Sequence, residues 1–182
     1  MQALHGSLVA LVTPMSLNGD IDYVSLEKLI EWHIAEGTNG IVSVGTTGES
    51  STLNPIEHLD VIDFTVKHVN KRIPVIAGTG ANSTQEAIEL TQESKKLGSD
   101  YALLVTPYYN KPNQRGLIAH YEAVADSVDI PQILYNVPSR TACDLLPSSV
   151  QVLSEHKNIV GIKEALDSMD RIKELVKISS HA

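Results

Sequence analysis

Lys163 closes a run of apolar, largely β-branched residues, Ile159-Val160-Gly161-Ile162, and is followed by Glu164. Such a run makes a buried parallel strand, yet lysine is seldom buried without a partner, because desolvating an ammonium is costly. Two readings account for it. A lysine at a strand end can snorkel to solvent or pair with Glu164. Alternatively, burial lowers the pKa of the amine and frees a lone pair to attack a ketone carbonyl, giving an iminium. An iminium draws electrons from the neighbouring carbon, which can then lose a proton and act as a nucleophile. That chemistry needs proton relays and a grip on an acidic substrate. Tyr108, Tyr109 and Tyr135 stand in "TPYYN" and "LYNVPSR", where a phenol can relay a proton or pack as an amphipathic wall. Arg140 can bind a carboxylate bidentately, or only pair with an acid. "GTTGES" (45–50) can offer backbone N–H groups to a carboxylate or phosphate, although a plain strand-to-helix turn explains the same letters. "GTG" (78–80) lacks the third glycine of a dinucleotide fingerprint, which argues against nicotinamide binding.

These residues sit at the ends of repeated strand-and-helix units. Strands are expected within 6–14, 40–49, 73–80, 101–109, 131–138 and 159–165, most of them continuous apolar runs of the kind found in sheets covered on both faces. In 23–37, Leu26, Leu29, Ile30 and His33 share one helical face. Asn54-Pro55 with Glu57 reads as an N-cap, a first-turn proline and a capping-box acid. Ser83 with Glu86 repeats the capping pattern, Leu146-Pro147-Ser148 opens another helix, and a last one starts near Ser168. Six β-then-α units in a row make an α/β protein. An open doubly wound sheet would gather its polar residues at one switch point. Here polar or glycine-rich tips follow nearly every strand, including Thr13, Thr46-Thr47, Thr79-Gly80 and Thr106, as on the top face of a (β/α)8 TIM barrel. A barrel usually takes about 250 residues, so two strands are expected to be missing from residues 1–182.

Composition narrows the function. A net charge of -8 argues against nucleic acid or an anionic membrane as main partner. No leader pattern is visible, and no apolar stretch approaches the roughly 20 residues of a membrane span. The single cysteine, Cys143, cannot form an intramolecular disulfide, which suits a reducing cytoplasm. None of the seven histidines lies at a zinc-like spacing from another histidine or from Cys143, so no metal site is expected.

Taken in order, "GTTGES", "AGTGAN", "VTPYYNKP", "ILYNVPSRTACDLLP" and "IVGIKEA" resemble the dihydrodipicolinate synthase family of pyruvate-dependent class I aldolases, from about Leu4 to Ser179. The resemblance implies a (β/α)8 barrel, usually a tetramer of two tight dimers. It also implies condensation of pyruvate with L-aspartate 4-semialdehyde to 4-hydroxy-tetrahydrodipicolinate, in the diaminopimelate branch of lysine synthesis, with no cofactor. Carried over by position, Lys163 would form the Schiff base with pyruvate. Tyr135 would transfer protons while hydrogen-bonded to Thr46, and Tyr109 would reach into a neighbouring subunit's site. Thr46 and Thr47 would hold the pyruvate carboxylate, and Arg140 that of the semialdehyde. Inhibitory lysine would meet Ser50, Ser51, His58, Asn82, Glu86 and Tyr108, although the capping box explains Glu86 without a ligand. Pro55 and Ser51 depart from lysine-sensitive relatives, which often carry histidine and alanine there. Relatives also continue with two further strands and a C-terminal helical region. An open sheet with exposed first and sixth strands, and little synthase activity, is therefore expected of this chain. N-acetylneuraminate lyase and keto-sugar-acid aldolases would use the same lysine and tyrosine. A non-catalytic remnant binding lysine or a full-length partner is the reading from another class.

Overall fold

All six expected strands form, each shorter than its apolar run: β1 Leu8–Ala10, β2 Gly40–Ser43, β3 Val75–Gly78, β4 Tyr101–Val105, β5 Gln132–Asn136 and β6 Ile159–Glu164. Between and after them lie α1 Tyr23–Ala35, α2 Pro55–Val69, α3 Thr84–Leu97, α4 Gln114–Ser127, α5 Pro138–Thr141, α6 Pro147–Leu153 and α7 Met169–Ser179. The strands follow chain order, β1-β2-β3-β4-β5-β6, in a six-stranded sheet. These elements come from a computed structural model that describes residues 4–179; of the domain expected over 1–182, residues 1–3 and 180–182 lie outside the described residues. The described chain divides into two compact units, one of residues 4–79 with 92–102 and one of 80–91 with 103–179.

In the first unit, β1 pairs with β2 and β2 with β3, all parallel, placing Val9 opposite Ile41 and Ile41 opposite Val75. Every residue of β2 and β3 is buried, which is why these strands read as unbroken apolar runs. Ile30 of α1 and Ile62 and Val69 of α2 pack with Ile41 into one core. α1 is capped by Asp22, whose carboxylate accepts the Ser25 amide at 3.0 Å. The capping box of α2 closes as read: Asn54 Oδ1 accepts the amides of Ile56 and Glu57, both at 3.0 Å, and Glu57 Oε2 accepts the Asn54 amide at 3.0 Å.

The second unit has its own core, in which Leu117, Tyr121, Leu134, Leu145 and Leu153 are fully enclosed. The second capping signal is weaker, with the Glu86 amide 3.4 Å from Ser83 Oγ. β5 and β6 are parallel, and β6 differs from the fully buried β2 and β3, as β1 does with Leu8 exposed. Ile159 is buried, while Val160 and Gly161 are exposed, as expected for the sixth strand. A groove of about 590 Å³ runs beside it, lined by Val160, Ile162, Ile172 and Val176.

Candidate active site

The tips of β5 and β6 carry two cross-strand pairs in register, Tyr135 opposite Lys163 and Asn136 opposite Glu164. Side chains alternate along a strand, so the two pairs belong to opposite faces. On one face, Lys163 Nζ lies 4.2 Å from the centroid of the Tyr135 ring. Tyr135 is buried and Lys163 half-buried. The ring face offers the ammonium some compensation, but desolvation dominates and holds the amine below the ordinary lysine value. A larger fraction of neutral, nucleophilic amine follows.

The other face is polar and closed. Asn136 Nδ2 donates to both Glu164 oxygens, at 3.1 and 3.0 Å, and to Asp144 Oδ1 at 2.9 Å. Arg171 grips Asp144 bidentately, at 3.1 and 2.7 Å, and its Nη1 lies 3.6 Å from Glu164 Oε2. The guanidinium is the main reason the Asp144 carboxyl sits below its usual value. Glu164 therefore serves Asn136 and Arg171, and no ion pair to Lys163 is present among the described residues. Asp144 and Arg171 carry no sequence signal of their own. In the sequence Asn136 appears only within "LYNVPSR", and Glu164 only as a possible partner of Lys163.

Tyr109 is 89% exposed and has φ 74°. The Asn110 amide donates to the Tyr108 carbonyl at 2.9 Å, so Tyr109 is the centre of a γ-turn, a strained conformation for a residue with a Cβ. Arg140 is exposed on α5, and no partner holds its guanidinium among the described residues. Tyr108 is half-buried; burial, and then the Glu86 carboxylate, push its phenol upward. Asn82 accepts from Asn110 Nδ2 at 3.0 Å through its backbone carbonyl. Asn82, Glu86 and Tyr108 thus belong to one unit.

In the other unit, Thr46-Thr47-Gly48 form a single 3₁₀ turn after β2. The amides of Gly48, Glu49 and Ser50 close onto Gly45 and Thr46 carbonyls, and those of Thr46 and Thr47 are left over among the described residues. Thr13 Oγ1 donates to the Gly48 carbonyl at 2.7 Å and fixes the turn from β1's side. Thr46 is half-buried and Thr47 exposed. His58 is buried, and its Nε2 donates to the Gly78 carbonyl at 2.7 Å, a structural use of one ring nitrogen. Ser50 is half-buried and Ser51 exposed.

Parallel strands in chain order, each followed by a helix and carrying polar side chains at its C-terminal end, are the arrangement of the (β/α)8-barrel class. This chain supplies six of that fold's units. It belongs to the dihydrodipicolinate synthetase family, which matches residues 3–181. It is 61% identical over 173 residues to a 4-hydroxy-tetrahydrodipicolinate synthase of Pseudomonas savastanoi pv. phaseolicola (strain 1448A / Race 6), covering 95% of this chain and 59% of that one. A synthase of the same name from Thermodesulfovibrio yellowstonii is also 61% identical, with the same coverage. Among solved structures, the chloride-inhibited dihydrodipicolinate synthase of Acinetobacter baumannii, complexed with pyruvate, superposes with a TM-score of 0.95 at 59% identity, over 96% of this chain and 60% of that one. The enzyme of Cyanidioschyzon merolae with lysine bound gives 0.91 at 40% identity, over 94% and 59%. The chain therefore spans about three-fifths of the length of the relatives it matches.

Proposed function

We propose that this chain carries the Schiff-base half of a 4-hydroxy-tetrahydrodipicolinate synthase. The observation that carries the reading is the half-buried Lys163 amine, 4.2 Å from the Tyr135 ring centroid, with its pKa lowered by desolvation. The neutral amine attacks C2 of pyruvate, and loss of water leaves an iminium. Loss of a C3 proton gives an enamine, whose C3 adds to the aldehyde carbon of L-aspartate 4-semialdehyde. Attack of that substrate's amino group on the imine carbon then releases Lys163 and closes the ring. The iminium is itself the electron sink, so the sequence of steps calls on no metal or nucleotide.

Tyr135 is the proton carrier beside the amine. Thr46 and Thr47 receive the pyruvate carboxylate, which fits the two amides their turn leaves over. Arg140, exposed and without a partner among the described residues, takes the carboxylate of the semialdehyde. Tyr109 completes the relay in a second copy's site, within a tetramer; its exposure and γ-turn support an outward role. Lysine acts as inhibitor through Ser50, Ser51, His58, Asn82, Glu86 and Tyr108, supported by the lysine-bound relative and by the nearness of Glu86 to the Tyr108 phenol. The relatives' names favour this reaction over sugar-acid aldolase activity or a non-catalytic role. The compartment is the cytoplasm, which accords with a free, buried Cys143.

The test is reduction with borohydride in the presence of pyruvate, which converts an imine to a stable amine. Mass spectrometry should find the adduct on Lys163. An adduct on another lysine, with Lys163 unmodified, sinks the mechanism.

A further inference from the structure

β5 and β6 are out of step along their length. Gln132 stands opposite Ile159, but the next residue, Ile133, stands opposite Gly161, so Val160 is an extra residue on β6. Had the ladder continued evenly, Ile133 would face Val160, Ile162 would face Tyr135, and Lys163 would face Asn136. Side chains alternate with a period of two, so that slip sends Lys163 to the polar face and Glu164 to the Tyr135 face. Backbone hydrogen bonding favours the even register, because a bulge leaves one residue out of the ladder. Burial favours the observed register through Ile162, which packs against the core, but not through Val160, which is 51% exposed, or Gly161, which has no side chain and open space where a Cβ would lie.

The discriminating contacts are at the tip. Asn136 is fully buried, and the Glu164 and Arg171 side chains are 4% and 10% exposed. Besides its bonds to Glu164 and Asp144, Asn136 accepts the Leu145 amide through Oδ1 at 2.9 Å. Glu164 Oε1 accepts the Leu166 amide at 2.9 Å. In the slipped register a second cation would enter beside Arg171, and Glu164 would lose Asn136 and Arg171 together. Buried polar groups stripped of partners are costly.

We infer that Asn136 and Glu164, backed by Asp144 and Arg171, are a register clamp that sets which face of β6 carries the lysine, and so act as positioning residues for Lys163 and Tyr135. The role of the positioned pair rests on the function proposed above; the clamp is read without substrate. Competitive acetylation of the 182-residue chain over a range of pH reports the titration of each lysine, and amide exchange reports the β6 tip. In the wild-type chain, Lys163 should acetylate as an amine of lowered pKa, against exposed Lys157 and Lys173 as references. Glu164→Gln keeps an acceptor for Asn136 and Leu166 and should keep the wild-type profile. Glu164→Asp keeps the charge but ends one carbon short. It should move the Lys163 profile towards the references and speed amide exchange at 162–165 at least tenfold. A folded Glu164→Asp chain with the wild-type Lys163 profile overturns the clamp, as does Glu164→Gln shifting more than Glu164→Asp. Should Glu164→Asp fail to fold, Asp144→Asn replaces it: a smaller shift in the same direction is expected, and an unmoved profile overturns the clamp. The two ideas fail separately. Expected acetylation without borohydride-trapped pyruvate keeps the clamp and removes the function, whereas trapped pyruvate with unmoved profiles does the reverse.

Discussion

Strand β2 is buried at every residue from Gly40 to Ser43, whereas β6 is exposed at Val160 and Gly161 and only half-buried at its tip. The segments that follow are shaped differently. After β2, Val44 takes φ 52°, a region that β-branched residues rarely enter, and it is 1% exposed. Its carbonyl would lie 2.2 Å from a Cβ at position 78, so the approach depends on Gly78. That segment is held by steric fit. At the tip of β6, with one flank open, directed hydrogen bonds between Asn136 and Glu164 do the holding. Where burial surrounds a strand, packing suffices to aim a turn. Where it does not, aim requires bonds with direction, because apolar contact alone leaves the register nearly free.

Four experiments break or sharpen this contrast. The largest effect is expected at the β6 tip, where Lys163→Arg should abolish borohydride trapping of pyruvate while circular dichroism stays that of the parent. A guanidinium is no nucleophile here, and retained trapping would move the chemistry elsewhere. On the β2 side, Gly78→Ala should cost about 3 kcal/mol or more, because backbone must shift to admit the methyl. Urea unfolding measures this, and a cost below about 1 kcal/mol would mean the Val44 approach is not held by steric fit.

The third experiment uses pH in the second unit. His120 is 5% exposed, its Nδ1 is 2.9 Å from Thr84 Oγ1, and burial pushes it down from 6.5 to about 4. A folded pKa below the unfolded one means that the unfolded chain takes up the proton first as pH falls. Stability from neutral His120 is complete above about pH 6.5 and is lost towards pH 4, by up to about 3 kcal/mol. His120→Asn, which can keep the Thr84 bond, should lose less stability between pH 7 and 4.5 than the parent; equal losses would exclude His120 as a source. The smallest effect is Asn54→Ala at the α2 cap, about 1 kcal/mol in the same urea assay.

Much of the fold was legible because it is local. Apolar runs marked all six strands, and the Asn54-Pro55-Glu57 spacing marked a helix start that closes as read. Lys163 stood out because its type contradicts its place in the chain. The clamp was not legible. Its members at 136, 144, 164 and 171 are brought together by strand pairing and helix packing, and each alone has an ordinary reading as a polar tip or surface charge. Val44 was hidden for the opposite reason, since its type predicts extended backbone and the packing around Gly78 overrides it. Glu86 read as a capping acid, but its amide is only loosely placed at 3.4 Å.

The bulge at Val160 bears on how this stretch can change length. If Val160 were deleted, Ile159 would still meet Gln132 and Gly161 would still meet Ile133, so the ladder would become regular with Lys163 still opposite Tyr135. The strand carries one residue of slack, placed where the side chain is half in solvent. A deletion at Ile162 leaves the same two residues between Ile159 and Lys163, so the bulge absorbs it as well, with Gly161 then opposite Leu134; what is lost is the packing of Ile162 against the core. The tip thus tolerates the loss of any one residue between Ile159 and Lys163, while the loss of a second would turn Lys163 to the other face, because only two residues separate Gln132 from Tyr135.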